Sequence, residues 1–347
     1  MPSPAPLRLR LDGAALVDNW RALDRLSGSA ICGAAVKADG YGIGAREAVE
    51  RLAGAGCRDF FVATWGEAAE LAPWYAALSL SVFHGVREGD MAAALAGPAR
   101  PCLCTREQVR RWRDAGGGVC DAMVDTGMNR LGLAVEDVRA GLLDGLAIDT
   151  LMSHLACSDE SGNPKNAAQR EAFASLVGRT LAKRLSLANS AGIALGPDYA
   201  FDLTRPGLSL YGGVQVEALA PHIRQVAHLE AEIIQRRRVE PGDTVGYNAT
   251  FTASAPIELA ILNIGYADGY ARGFSGRGRA FAEGAELPVV GRVSMDLVAI
   301  AVDAAPRLAE GDWVELDFDL PAASAQSGIA QYELLTGLGD RYQRVWK

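Results

Sequence analysis

The sequence predicts a parallel α/β domain followed by an antiparallel β domain, and three observations carry that expectation. From residue 30 to about 212, short β-rich apolar runs alternate with longer helical patterns. One strand–helix pair recurs roughly every 20 to 25 residues, the spacing that lays successive strands side by side with right-handed crossovers. Beyond about residue 225 the pattern changes to strict alternation broken by Pro, Gly and Asp turns, as in an antiparallel sheet. Eight parallel strands suit a closed (β/α)8 barrel and an open doubly wound sheet equally well.

Taken in order, the candidate strands are SAICGAAV (29–36), FFVA (60–63), LSVF (80–83), PCLC (101–104), VCDAMV (119–124), IDTLMS (148–153), RLSLAN (184–189) and GLSLYG (207–212). Between them AREAVERLAGAG, WGEAAELAPWYAAL, REGDMAAALAG, TREQVRRWRDAGGG and NPKNAAQREAFASLVGRTLAKR read as helices, with acidic or Ser/Thr/Asn starts and glycine ends. The domain boundary is placed near 225, giving expected domains 1–225 and 226–347. In the second, AHLEAEIIQRRRVEPGDTVGY, IELAILNIGYADGY, LPVVGRVSMDLVAIAV and DWVELDFDL supply the strands. The echoes PGDTV (241–245) and EGDWV (310–314) read as two turn-to-strand junctions, and the Gly/Arg-rich stretch 271–286 reads as a mobile loop.

Composition narrows the function. Of 347 residues 49% are hydrophobic, enough for a large core, and the formal net charge is −8. That sign excludes a non-specific nucleic-acid binder. No run reaches the roughly 18 to 20 apolar residues of a membrane span, and the N-terminus lacks signal-peptide character, so a cytoplasmic protein is expected. Six cysteines without a CxxC pair and four histidines without HxxxH spacing point to buried thiols and to no metal site.

The chemistry concentrates in GAAVKADGYGIGA (33–45). The apolar strand ends at Val36, so Lys37 stands at the C-terminal edge, where parallel α/β folds gather their active sites. Lysine among apolar neighbours there is a candidate for a lowered pKa and Schiff-base chemistry. The competing reading is a snorkelling side chain with a solvated head.

AVKADGYGIGA resembles the pyridoxal-phosphate attachment segment of the alanine racemase family. DTGMNRLGL (125–133), SHLACSDE (153–160), ANSAG (188–192), TRPGLSLYGG (204–213), VGYNATFTA (245–253), IGYADGY (264–270) and VGRVSMDL (290–297) follow in the family's order. The resemblance spans about residues 7 to 346. It implies an N-terminal (β/α)8 barrel, a C-terminal β domain, pyridoxal 5'-phosphate as cofactor and a homodimer whose active sites are shared. The activity it implies is interconversion of L- and D-alanine by two-base proton transfer, with serine or broader specificity open.

The same resemblance assigns roles. Lys37 carries the cofactor and serves as one base, and Tyr266, from the partner subunit, serves as the other. Arg205 faces the pyridine nitrogen and His154 orients it. Tyr41, Ser190, the amides of Gly207 and Leu208, and Tyr332 bind the phosphate. Arg130 and the Met295 amide contact the substrate carboxylate, and Asp296 lines the substrate corridor. Met123 departs from the pattern, standing where many members carry a carbamylated lysine; Asn129 or a bound chloride is then expected to hold Arg130. Two related classes share the barrel. Decarboxylases of basic amino acids place a carboxylate where Arg205 stands, and single-barrel cofactor carriers lack the second domain.

Overall fold

The computed structural model describes residues 5–74 and 78–347 and divides into two units, 16–224 and 1–15 with 225–347. The end of the WGEAAELAPWYAAL helix falls partly on residues 75–77, outside the described residues. The N-terminal strand β1 (Leu7–Leu11) belongs to the second unit.

The larger unit is a ring of parallel strands. Its first strand is interrupted, β2 (Ile31–Cys32) and β3 (Ala34–Ala35), and is followed by β4 (Asp59–Val62), β5 (Ser79–Val82), β6 (Arg100–Leu103) and β7 (Cys120–Asp125). The two-residue strand β8 (Leu133–Ala134) pairs beside β7, after which come β9 (Ile148–Met152), β10 (Arg184–Ser186) and β11 (Leu203–Thr204). Pairing runs β3-β4-β5-β6-β7-β9-β10, and β11 pairs with β2. The amides of Asp202 and Arg205 donate to the carbonyls of Leu185 and Ala188, which closes the ring between β10 and β11. The even choice between barrel and open sheet thus resolves to the barrel. A hairpin cannot join parallel strands, so each strand needs a covering helix. These helices include Ala45–Ala55, Arg106–Asp114 and Pro164–Ala174, with Val109, Trp112 and Phe173 buried between ring and helices. Burying side chains of that size is worth about 1.5–3 kcal/mol each.

Three expectations need correction here. The eighth strand is Leu203–Thr204, whereas 207–212 contains a 3-10 turn, Leu208–Tyr211. Pro206 has no N–H to give a ladder, and the Gly207 carbonyl accepts the Leu210 amide, so the chain coils directly after the strand. The helix from 163 stops at Ala174, ahead of Gly178 at φ 72°. The Gly/Arg-rich stretch 271–286 is ordered: Phe274 is buried and stacks on Tyr270 at 4.4 Å, and a β-hairpin follows.

The N-terminal ends of the barrel strands are closed by an ion network. Arg184 Nη2 bonds Asp59 at 2.8 Å and Asp149 at 2.6 Å, while Arg100 Nε lies 3.3 Å from Asp121. Asp121 is fully buried, and its carboxylate also accepts from Ser81 Oγ and the Thr150 amide. Removing one partner strands the other charges in low dielectric, so Arg184→Met is expected to lose about 3 kcal/mol of stability at pH 7. Asp149 is held below the usual carboxylate range by Arg100 and Arg184 against the opposing effect of burial. A carboxylate with a lowered folded pKa stabilises above its unfolded pKa and ceases to as pH falls through the folded value. The gap between variant and parent should therefore narrow below about pH 4, which urea titrations across pH will read.

In the second unit β1 pairs antiparallel with the long strand β12 (Ala227–Val239) and parallel with the C-terminal strand Gln343–Trp346. Around them Ile257–Leu262, Arg279–Ala282, Ala285–Val290, Val298–Ala301 and Trp313–Leu316 complete an eight-membered, mainly antiparallel sheet among the described residues. A β-bulge between Ile233 and Gln235 lets β12 pair with Ile257–Leu262 over its second half. Among the described residues no helix is long and apolar enough to cross a membrane. The six cysteines are unbonded, five of them buried and Cys157 partly exposed.

Candidate active site

Barrel geometry brings most of the expected residues to one end. Lys37 follows β3, Arg130 follows β7, His154 follows β9, Ser190 follows β10 and Arg205 follows β11, all at the C-terminal ends of parallel strands. Their proximity is visible in the electrostatics. Burial, then the charges of Arg205, Arg130 and Lys37, push the His154 imidazolium down to about 3. Lys37 is half-buried, and desolvation followed by Arg130 lowers its pKa from the ordinary lysine value, with Glu67 opposing. The amine is therefore a stronger candidate for nucleophilic and base chemistry than a surface lysine.

The segment after Lys37 was not legible in the sequence. Ala38, Asp39, Gly40 and Tyr41 have φ of 52°, 51°, 61° and 58°, a full left-handed turn in which three members carry a Cβ. Left-handed backbone costs about 1–2 kcal/mol at each of those three. It is held by Gly40 N to Val36 O at 2.9 Å, Gly42 N to Ala38 O at 2.8 Å and Gly44 N to Asp39 O at 2.9 Å. The Asp39 carboxylate also accepts the Ala45 amide at 2.8 Å, at the start of the next helix.

The turn delivers Tyr41 to the segment after β11. Its ring stacks on Tyr211 at 4.7 Å, and the Tyr211 hydroxyl donates to Ala35 O. A Cβ on Gly207 would lie 2.1 Å from the Tyr41 hydroxyl oxygen, so any larger residue would displace the tyrosine. Ser190 Oγ accepts the Gly207 amide at 3.0 Å and the Ser209 amide at 3.3 Å, which places a hydroxyl and a run of backbone amides side by side. Asn189 caps the short helix that starts at Ser190, so the serine stands beside the cap rather than being it. Ser209 Oγ is buried without a hydrogen-bond partner. Two hydroxyls beside a stretch of amides, of which those of Gly207 and Ser209 rest on Ser190 Oγ here, form a polar cradle suited to a phosphate.

Arg205 is only 4% exposed. One of its nitrogens donates to Ser186 Oγ, which in turn donates to Leu203 O, and the other reaches Ser153 O at 2.6 Å. Burial lowers it to about 10, so it stays cationic near neutral pH. The Ser186 hydroxyl and the Ser153 carbonyl are thus partners of Arg205; sequence reasoning passed over both because a serine on a strand and a backbone carbonyl carry no signature. Arg130 is exposed, its amide donating to Asp125 Oδ2 at 2.8 Å in a loop where Asn129 takes φ 57°. Met123 is buried on β7.

The second unit holds Tyr266, Met295, Asp296 and Tyr332. Tyr266 is 37% exposed and opens a 3-10 turn whose amides at Tyr266 and Ala267 donate to the carbonyls of Ser294 and Met295. Asp268, only 1% exposed, accepts from the Gly265 amide and takes two bonds from Arg341, whose third reaches Asp296 at 2.8 Å. The Arg272 guanidinium lies over the Tyr266 ring, 5.1 Å from its centroid. Tyr332 lies on the helix Gln331–Thr336. Among the described residues no cluster of His, Cys, Asp and Glu could hold a metal ion.

Comparison with known proteins agrees with this arrangement. Residues 11–215 match the model of the alanine racemase N-terminal domain and 226–346 that of the alanine racemase C-terminal domain. The chain is 42% identical to an alanine racemase of Acidiphilium cryptum, covering 98% of each. It is 40% identical to a biosynthetic alanine racemase of Agrobacterium fabrum, covering 99% of this chain and 94% of that one. The crystal structure of alanine racemase from Bartonella henselae with covalently bound pyridoxal phosphate superposes with a TM-score of 0.91 at 32% identity, over 99% of this chain and all of that one. With both domain models matched in order and relatives aligned over nearly their full length, this chain belongs to the alanine racemase family.

Proposed function

We propose that the protein is a cytoplasmic amino-acid racemase that interconverts L- and D-alanine with pyridoxal 5'-phosphate, as a homodimer with shared active sites. The observation that carries this reading is a desolvated lysine at a strand end, flanked by cations, beside a cradle of hydroxyls and backbone amides. The cradle suits the phosphate, the lysine suits the aldehyde, and the buried cation Arg205 suits the ring nitrogen. Bound there, the cofactor supplies an electron sink that acidifies the α-hydrogen of an attached amino acid.

The residues of the chain do the rest. Tyr41, Ser190, the amides of Gly207 and Leu208, and Tyr332 hold the phosphate. Arg130 suits the substrate carboxylate bidentately, and the Met295 amide adds a donor. Lys37 holds the cofactor and, once the substrate amine has taken its place, moves a proton at one face of Cα. Tyr266 of the partner subunit moves a proton at the other face. Two groups on opposite faces are the minimum for inversion, because a single base returns the proton to the side it left.

Incubation with L- or D-alanine in deuterium oxide is expected to give α-deuterated product of both hands. The same assay with serine and lysine reads specificity. Cofactor-loaded protein that leaves the α-hydrogen of alanine in place would overturn the proposal.

Arg205 explains restraint as well as reactivity. A guanidinium that remains protonated donates a hydrogen bond but does not hand over a full charge, so the ring is a weaker sink than one facing a carboxylate. Arg205→Glu is therefore expected to lower racemisation and raise ketoacid formation by about tenfold or more relative to turnover. Ketoacid coupled to a dehydrogenase measures it, and an unchanged ratio counts against this role.

A further inference from the structure

We infer that Glu67 is the positioning residue for Lys37, holding the left-handed turn on which the lysine sits. The inference rests on the reading of Lys37 as the cofactor lysine. Glu67 lies on a different barrel segment, in the helix Trp65–Glu70 that follows β4. Its two carboxylate oxygens face two different stretches of chain. Oε2 accepts the amides of Ala63 at 2.6 Å and Thr64 at 3.1 Å, fastening its own helix start to the end of β4. Oε1 reaches across and accepts the Ala38 amide at 2.8 Å.

Ala38 is the first residue of the left-handed turn and follows Lys37 directly. Its N–H is given to Glu67, while the Gly40 amide closes the turn back onto Val36 O. Glu67 thus satisfies the amide of the peptide plane that joins Lys37 to the turn, one of the two planes flanking the lysine Cα. The strained residues do not favour this conformation by themselves, so it persists only where neighbours fix it. Asp39 fixes the far end through Ala45, and Glu67 fixes the near end.

The chemistry requires a carboxylate. Both oxygens must accept, in two directions, and glutamine offers only one acceptor. Its amide group would meet either Ala38 N–H or the Ala63 and Thr64 amides donor against donor. An aspartate is one methylene too short to serve both segments. Helix capping alone needs only Oε2, so capping does not account for the choice of side chain.

The test separates the two duties of Glu67. Hydrogen exchange of the full-length, cofactor-free protein is read on peptides covering residues 36–45. Glu67→Gln is expected to speed exchange in that stretch about tenfold or more. Glu67→Asp, which retains charge and cap, should do the same. Thr64→Ala, which removes the reciprocal cap bond and leaves Oε1 in place, should loosen only residues 64–70. In the loaded protein the visible circular dichroism per bound cofactor should fall in both Glu67 variants and not in Thr64→Ala. Unchanged exchange over 36–45 in the Glu67 variants, or equal loosening by Thr64→Ala, overturns the inference. Exchange in cofactor-free chain does not depend on racemisation, so a failure here is distinct from a failure of the proposed activity.

Discussion

Replacing Lys37 with alanine is expected to lower alanine racemisation by at least ~10⁴-fold and to abolish covalent attachment of pyridoxal phosphate. The size follows from the two duties that fall on one amine, since losing either the anchor or the base is enough. The pH dependence follows from its surroundings. Desolvation and then Arg130 both disfavour the ammonium, while Glu67 favours it, and the net direction is downward. A base acts only when neutral, so turnover should rise through a pKa lying below the ordinary lysine value of about 10.4. Arg130→Gln removes one of the two lowering influences and is expected to move that limb to higher pH. The profile of kcat for parent and variant reads the shift, and a limb that stays in place or moves to lower pH contradicts it.

The sequence already exposed why that lysine matters. A strand that ends on an apolar run and is followed directly by Lys, with glycines close behind, puts the side chain at the working edge of a parallel sheet whatever the details of the loop. The barrel strands were legible for the same reason: their burial on both faces writes a continuous apolar run such as Phe60–Val62. What failed to show was set by contacts distant in the chain. β1 pairs with β12 across more than two hundred residues, Leu7 with Ala231, and no local pattern records a partner so far away. The true eighth strand is the two residues Leu203–Thr204, fixed by Ile31 and Cys32 on the neighbouring strand, while the apolar run that looked like a strand coils after Pro206.

The site shows the same division. Lys37 drew attention by its place at a strand end, with a snorkelling side chain as the competing reading, and Arg205 only through the family resemblance; the residues that aim them did neither. Ser186 is a small polar residue on a short strand, and only its bonds to Arg205 and Leu203 O give it meaning. The left-handed turn is carried by Ala38, Asp39 and Tyr41, none of them glycine, so propensity argues against it and packing imposes it. Thr64 and Glu67 did carry a signal, the spacing of a capping box. That spacing announces a helix start and says nothing of the second carboxylate oxygen, which leaves for Ala38.

On the proposed two-base mechanism, Tyr266→Phe is expected to cost about 10³-fold in racemisation, because it would remove the phenol assigned to one face of Cα and leave Lys37 to serve the other. Exchange of the α-hydrogen without inversion should survive far better than racemisation itself. The stronger consequence concerns where the tyrosine comes from. In a homodimer whose sites each join Lys37 of one subunit to Tyr266 of the partner subunit, a mixed dimer of Lys37→Ala and Tyr266→Phe chains concentrates both lesions in one site and restores the other. Random exchange makes half the dimers mixed, each with one intact site, so mixing two nearly inactive proteins should recover about a quarter of parental activity. Had both residues come from one chain, every site in the mixed dimer would carry one lesion and nothing would return. Activity that stays at the level of the separate variants, under conditions where tagged subunits demonstrably exchange, would place the two groups in the same subunit. The exposed turn bearing Tyr266, fastened by Arg341 to the Met295–Asp296 segment, is built as one presenting surface. Recovery by mixing is therefore the result that an exposed surface of this kind leads us to expect.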